Sequence, residues 1–209
     1  MNKEKFKFTL VLDAMGVIYR AGDDVAELLV PFIAEKNGTR SVDAIKNYYL
    51  SASLGNISAN EFWLAVGLAP AVEDEYLLRH RLMPGLLGFI DKASEQFSSI
   101  HCLSNDVAEW SLKLRKRFGL ETKITQWLIS GDVRQRKPSQ EIYEKLLETS
   151  NLAADRIIFV DDREKNLDAA SEFGIKTIRF APRPEDDQNS KHKKVSSFGE
   201  ISTVVAQMA

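Results

Sequence analysis

The feature that most narrows the fold of this chain is a recurring alternation of short apolar runs with stretches of helical periodicity. The runs are 8–12 (FTLVL), 99–103 (SIHCL), 126–129 (QWLI), 156–160 (RIIFV) and 176–180 (KTIRF). Amphipathic segments such as 107–118 and 140–149 separate the later ones. Alternation of this kind implies βαβ units and a parallel sheet. A run as apolar as IIFV suits a strand buried on both faces by helices. The expected class is therefore α/β, a Rossmann-like parallel sheet flanked by helices.

One interval breaks the pattern. Between Ala21 and Leu82 there is no strand-like run, only the helix patterns VAELLVPFIAEKNG, SVDAIKNYYLSASLG, SANEFWLAVGL and VEDEYLLRHRL, broken at Gly38, Gly55 and Pro70. This reads as an all-helical insertion after the first strand, and Pro84-Gly85 marks the return to the sheet. The expected division is a core of residues 1–19 and 83–209 with a helical domain at 20–82.

The polar residues that follow the runs carry the chemistry. Asp13, Ser104 with Asn105, and Asp161 with Asp162 each stand directly after a strand, and Lys137-Pro138 follows QWLI after a short loop. In an open α/β sheet the carboxyl ends of the strands share one edge, and ligands bind in the crevice there. Each residue alone is an ordinary cap or turn former. Together they bring carboxylates, a hydroxyl, an amide and an ammonium to one edge. A carboxylate can act as a nucleophile, Mg²⁺ takes one or two carboxylates plus substrate oxygens, and a lysine with hydroxyl and backbone donors can hold a phosphoryl group.

In order, LVLDAMGVIY, HCLSND, RQRKP and IIFVDDREKN match the four motifs of the haloacid dehalogenase superfamily of aspartate-nucleophile hydrolases, and the chain resembles that family across nearly its whole length. The resemblance implies a five-stranded core in the order 3-2-1-4-5 and a helical cap after the first motif. Carried over by motif, Asp13 is the nucleophile, Lys137 the stabilising cation, and Ser104 and Asn105 the phosphate-binding pair, with Asn166 as a support. The metal ligands implied are Asp13, the backbone carbonyl of Met15, Asp162 and its neighbour Asp161, with Mg²⁺ as cofactor. GNISANEFW and FVDDREKNLDAA look most like the subgroup of sugar-1-phosphate phosphatases and the phosphatase domain of epoxide hydrolases.

Met15 departs from the pattern. Most phosphatases of the family read DxD in the first motif, and the second acid protonates the leaving group and then activates water. Methionine does neither, although its carbonyl can still bind a metal. Three readings follow: a Mg²⁺-dependent phosphatase for a small phosphorylated metabolite, a metal-free haloacid dehalogenase, and a phosphate-binding member of the family that has lost turnover.

The rest of the chain excludes more than it assigns. A net charge of -2 and a pI near 6.0 leave no basic stripe for nucleic acid, the clusters KLRKR (113–117) and KHKK (191–194) reading as solvated charge. No apolar stretch reaches the roughly 20 residues of a membrane span, and the N-terminus carries no leader pattern, so a cytoplasmic protein is expected. The single cysteine, Cys102, reads as a small buried hydrophobe. His101 reads as core and His192 as solvated. Candidate substrate contacts from the insertion are Tyr19, Arg20, Trp63, Arg79, His80 and Arg81, with cap core the competing role for Trp63 and a solvated helix end for the arginines. Residues 182–194 read as a mobile polar loop before a closing helix. No pattern names the substrate or sets an oligomeric state.

Overall fold

The computed structural model describes residues 8–183 and 189–208. Six strands form one sheet: β1 (Thr9–Leu12), β2 (Ser99–Ser104), β3 (Gln126–Ile129), β4 (Ile157–Asp161), β5 (Lys176–Phe180) and β6 (Lys193–Val195). They lie in the order β3-β2-β1-β4-β5-β6, and every neighbouring pair is parallel. The five apolar runs are β1 to β5, in the expected order. The sixth strand is an addition: Lys193 and Lys194, assigned from sequence to a loop, pair with β5. Only Val195 of that strand is buried, and exposed lysines suit a sheet edge. Residues 184–188 of the same polar segment lie outside the described residues.

Register places the chemistry. Leu12 stands opposite Cys102 on one side and Val160 on the other, and the Asp13 N–H donates to Val160 O at 2.9 Å. Asp13, Ser104 and Asp161 consequently reach one edge of the sheet at similar height. Along β1 and β4 successive side chains feed opposite layers. Leu10, Leu12, Ile158 and Val160 join the cluster under helices α5 (Leu86–Gln96), α6 (Ala108–Arg117) and α10 (Phe198–Ala206). Val11, Ile157 and Phe159 join the other, under α8 (Gln140–Ser150) and α9 (Glu164–Glu172). Double coverage is why these runs carry almost no polar residue.

From 25 to 77 the chain is helical: a π-helical turn (Val25–Leu29), α1 (Val30–Glu35), α2 (Val42–Ala52), α3 (Ala59–Ala65), a 3₁₀ turn (Pro70–Val72) and α4 (Glu73–Leu77). The caps were legible as local sequence. Ser41 accepts from the Ala44 N–H, and Ser58 with Glu61 forms a reciprocal capping box. Both ends of the segment leave the core side by side, because Arg20 N–H donates to Arg81 O (3.0 Å) and Met83 N–H to Ile18 O (2.8 Å).

The helical segment is bound to the core by aromatic packing. Phe62, Trp63 and Tyr76 surround Trp110 of α6, with ring centroids 5.3, 5.5 and 5.0 Å away. Glu73 satisfies the polar atoms inside this cluster, accepting the indole N–H of Trp63 at 3.0 Å and of Trp110 at 2.8 Å. Lys113 pairs with Glu73 and Asp74, and Arg117 donates to Leu77 O, so the basic run of α6 ties the segment down rather than facing solvent freely. Glu73→Ala strands two buried indole donors and is expected to cost about 2–4 kcal/mol, measured as a lower urea midpoint. Glu73→Gln, which keeps one acceptor, is expected to cost less.

Candidate active site

Lys137 is the centre of the site. It arrives on the loop after α7 (Ser130–Val133), ahead of a cis peptide bond to Pro138. Its ammonium donates to Asp13 Oδ1 (2.6 Å), Asp161 Oδ2 (2.8 Å) and Leu103 O (2.8 Å), so its three protons meet three acceptors. The side chain is 1% exposed. Burial opposes its charge, but the two carboxylates outweigh burial and hold its pKa above the ordinary value. Asn105 fixes the backbone beneath it: Oδ1 accepts the Lys137 N–H at 2.8 Å and Nδ2 donates to Lys137 O at 2.9 Å.

The two acids at the end of β4 are not equivalent. Asp161 is fully buried and saturated, accepting from Lys137, from the Arg163 N–H (2.8 Å) and, on both oxygens, from Asn166 Nδ2 (3.1 and 3.0 Å). Asp162 has a buried Oδ1 with no hydrogen-bond partner among the described residues. Gly16, at φ +83°, and Gly22 face its other oxygen. A β-carbon at position 16 would run into Asp162 Oδ2, and one at position 22 would stand 3.0 Å from it. The first motif therefore needs glycine at 16 for its backbone conformation and for this approach.

Carboxylate oxygens of Asp13, Asp161 and Asp162 lie within 4.8 Å of one another. Burial and the Asp161 charge push Asp13 up to about 7, against the pull of Lys137 and the Ala14 N–H. Burial, with Asp13 and Asp161 beside it, pushes Asp162 up to about 8. Like charges this close favour protonation or a cation. An orphaned oxygen among hard carboxylate donors fits a divalent ion of the Mg²⁺ type, with Asp13 and Asp162 as the side chains free to hold it. Asp161, already saturated, is placed to support Lys137. Ser104 Oγ is buried at the end of β2 and likewise has no partner among the described residues.

Asp13, Met15, Asn105, Lys137 and Asn166 share a cavity of about 340 Å³. Met15 is 6% exposed and also belongs to the apolar cluster beneath. Around these residues the cavity is closed by Asp24, Lys46, Tyr49, Leu50, Arg136 and Arg163, none of which was singled out from sequence. Arg136 and Arg163 lie within recognised motifs, RQRKP and IIFVDDREKN. Lys46 and Tyr49 sit in an unremarkable amphipathic helix, where nothing local marks them. The contacts expected of the insertion lie elsewhere. Tyr19, Arg20, Arg79, His80 and Arg81 line a separate cavity of about 650 Å³, and Trp63 is fully buried in the aromatic cluster. Arg79 is held by Glu35, and Arg81 folds back onto Leu78 O and His80 O.

Cys102 and His101 are buried, as expected. His192 is a correction: its side chain is 5% exposed, with Nδ1 2.7 Å from Thr177 Oγ1 and Nε2 2.9 Å from Asp168, because β6 carries it onto α9. Among the described residues no helix is long and apolar enough to cross a membrane.

A haloacid dehalogenase-like hydrolase model matches residues 68–180, more than half of the chain. The chain belongs to this family. Asp13 precedes the matched stretch, so its membership in the site rests on the geometry above. A GMP/IMP nucleotidase, YrfG of Escherichia coli (strain K12), is 27% identical over 84 residues, which span 38% of this chain and 38% of that protein. Among solved structures, a 2-haloacid dehalogenase from Pseudomonas syringae pv. Tomato superposes with a TM-score of 0.70 at 15% identity, covering 97% of this chain and 99% of that one. A family enzyme from Bacteroides thetaiotaomicron, an aspartate-to-alanine mutant in complex with magnesium and inorganic phosphate, gives 0.71 at 19%, covering 88% and 97%. These likenesses place the family fold over nearly the whole chain.

The raised acids have a stability consequence. An aspartate ordinarily titrates near 3.9. Between that value and the raised pKa values of about 7 and 8, the folded metal-free protein holds protons that the unfolded chain has lost. The stabilisation is full below about pH 4 and is lost as pH rises through 7 to 8. Thermal melts of the metal-free protein are therefore expected to fall from pH 5 to pH 8. Asp162→Asn is expected to raise the melting temperature at pH 8 and change it little at pH 5.

Proposed function

We propose that this hydrolase is a Mg²⁺-dependent phosphatase acting on a small phosphorylated metabolite, with the helical segment 20–82 as its cap. The observation that carries the reading is the unpartnered buried oxygen of Asp162 beside Asp13, at a site where Lys137 and Asp161 already satisfy each other. A metal-free dehalogenase has no use for a third carboxylate there, since its charge only raises the pKa of a carboxylate that must stay nucleophilic.

In this reading Asp13 attacks phosphorus through the carboxylate oxygen not held by Lys137, the bond from phosphorus to the ester oxygen breaks as that oxygen leaves, and water then cleaves the aspartyl phosphate to inorganic phosphate and the free carboxylate. Lys137 orients Asp13 and favours its ionised form against burial and Asp161, and offsets repulsion between it and an anionic substrate. Ser104 supplies a hydroxyl for a phosphoryl oxygen, and Asn105 acts through Lys137 by bracketing its backbone. Bound Mg²⁺ supplies positive charge that polarises the phosphoryl group and relieves the carboxylate cluster. Met15 gives no proton to the leaving group, so substrates whose leaving group departs as a stable anion suit the site best.

Three variants test this. Asp13→Asn keeps the shape and loses the nucleophile, and is expected to abolish phosphate release and the phosphoenzyme seen by mass after a quench. Retention of more than a few per cent of turnover, or metal-free halide release from 2-haloacids by the wild type, would overturn the reading. Asp162→Ala is expected to weaken Mg²⁺ binding in calorimetric titration far more than a substitution in α2. Met15→Asp is expected to raise turnover of alkyl phosphates by up to about 10² to 10⁴, with a smaller gain on acyl phosphates and a lower melting temperature from the buried charge.

A further inference from the structure

The cavity that holds Asp13 also carries cations that hydrolysis does not require. Arg163 faces the carboxylates: burial opposes its charge, but Asp162, Asp13 and Asp161 hold its pKa up, and it donates to Gly22 O at 2.7 Å. Lys46 and Arg136 are placed differently. Lys46 stands on α2 three and four residues before Tyr49 and Leu50, which line the same cavity, so one face of that helix forms the roof. The Arg136 guanidinium comes from the core, lies 5.8 Å from the Tyr49 ring centroid and donates to Ser53 Oγ at the end of α2. Neither Lys46 nor Arg136 makes a salt bridge among the described residues, although the Arg136 charge is felt by buried Asp24 and Asp106. Two acids share that wall, and buried Asp24 accepts from the Tyr49 hydroxyl at 3.5 Å. Asp23 accepts the Ala26 N–H, and Asp24, raised to about 6 by burial and Asp23, is drawn down by Arg163 before Arg136.

The same wall argues against a purine. Among the described residues Tyr49 is the one aromatic side chain lining the cavity. It is 6% exposed, stacked on Trp110 at 6.2 Å and 29°, with Arg136 over its ring. A base entering this space meets charged side chains and no open ring face.

We propose that Lys46 and Arg136 bind a second anionic group on the substrate, so that the hydrolase acts on small phosphate esters bearing a carboxylate or a second phosphate. The inference rests on the phosphatase reading for the reacting end and adds the group recognised at the other. A charge-assisted contact of this kind separates charged from neutral analogues by about tenfold to a hundredfold. Measured with Mg²⁺, ω-carboxyalkyl phosphates or alkanediol bisphosphates are expected to exceed alkyl phosphates of equal length by that factor in kcat/KM, and to exceed guanosine monophosphate. Carboxylate and phosphate arms of the series show which anion is taken. Lys46→Met, at an exposed position, is expected to collapse the ratio toward one through KM. A wild-type ratio near one, a ratio that survives Lys46→Met, or a preference for guanosine monophosphate overturns the proposal. Calorimetry with the corresponding phosphonates, which cannot be hydrolysed, separates the two readings. Tighter binding of the anionic phosphonate without turnover of any ester keeps this proposal and sinks the phosphatase. Turnover of all esters without preference does the reverse.

Discussion

The ammonium of Lys137 is the contact on which the rest of the site depends. It is nearly inaccessible to solvent and sits between two buried carboxylates and a strand carbonyl, with each proton used. Taking such charges out of water is expensive, and only close geometry with every donor satisfied recovers the cost. Remove the ammonium and Asp13 and Asp161 face each other uncompensated, a change of about 3–5 kcal/mol for a buried pair that loses one partner. The ion triad also joins three strand ends, because Asp13 follows β1, Leu103 lies on β2 and Asp161 ends β4. Holding Asp13 in place and holding the sheet edge together are one arrangement.

Asp161 and Asp162 show how one strand end divides two tasks. The strand's alternation turns Asp161 inward toward Lys137 and Asn166, where its oxygens are saturated, and leaves Asp162 toward Gly16 of the first motif and Gly22, with an oxygen to spare. A residue with every lone pair occupied is a brace, while the buried unpaired oxygen of Asp162 is the one that the proposed reading gives to a cation. The same logic separates Asn105, whose amide is committed to the Lys137 backbone, from Ser104, whose hydroxyl is unpartnered. Satisfied and orphaned polar atoms distinguish neighbours that a motif treats as a pair.

The helical segment does more than cover the edge. Its aromatic residues share a cluster with Trp110 of α6, and Ser130 Oγ of the core donates to Ser53 O at 2.5 Å. Anchored on that side, α2 presents Lys46, Tyr49 and Leu50 to the cavity. The cavity is thus bordered by a helix face whose position is set by aromatic packing some distance from Asp13.

The class of fold, the strand order implied by family resemblance and the residues at the strand ends were legible in the chain itself, because they depend on periodicity and on motifs that are local in sequence. IIFV within an alternating βα pattern suits a doubly covered strand, and an acid directly after such a strand stands at the sheet's edge. Helix caps such as Ser58 with Glu61 were legible for the same reason. What the tertiary structure alone decided is which side chains share a space. Nothing within VDAIKNYYLSA separates Lys46 and Tyr49 from their neighbours until α2 is laid over Asp13. Nothing in RHRL, residues 79–82, says that these residues border a different cavity. The edge strand around Lys193 was hidden because its stability comes from pairing with β5 and from His192 reaching Asp168, contacts made across the fold rather than along the chain. Sequence determines what each segment can become. Juxtaposition of segments far apart in the chain, fixed by burial and by the pairing of charge, determines what they do together.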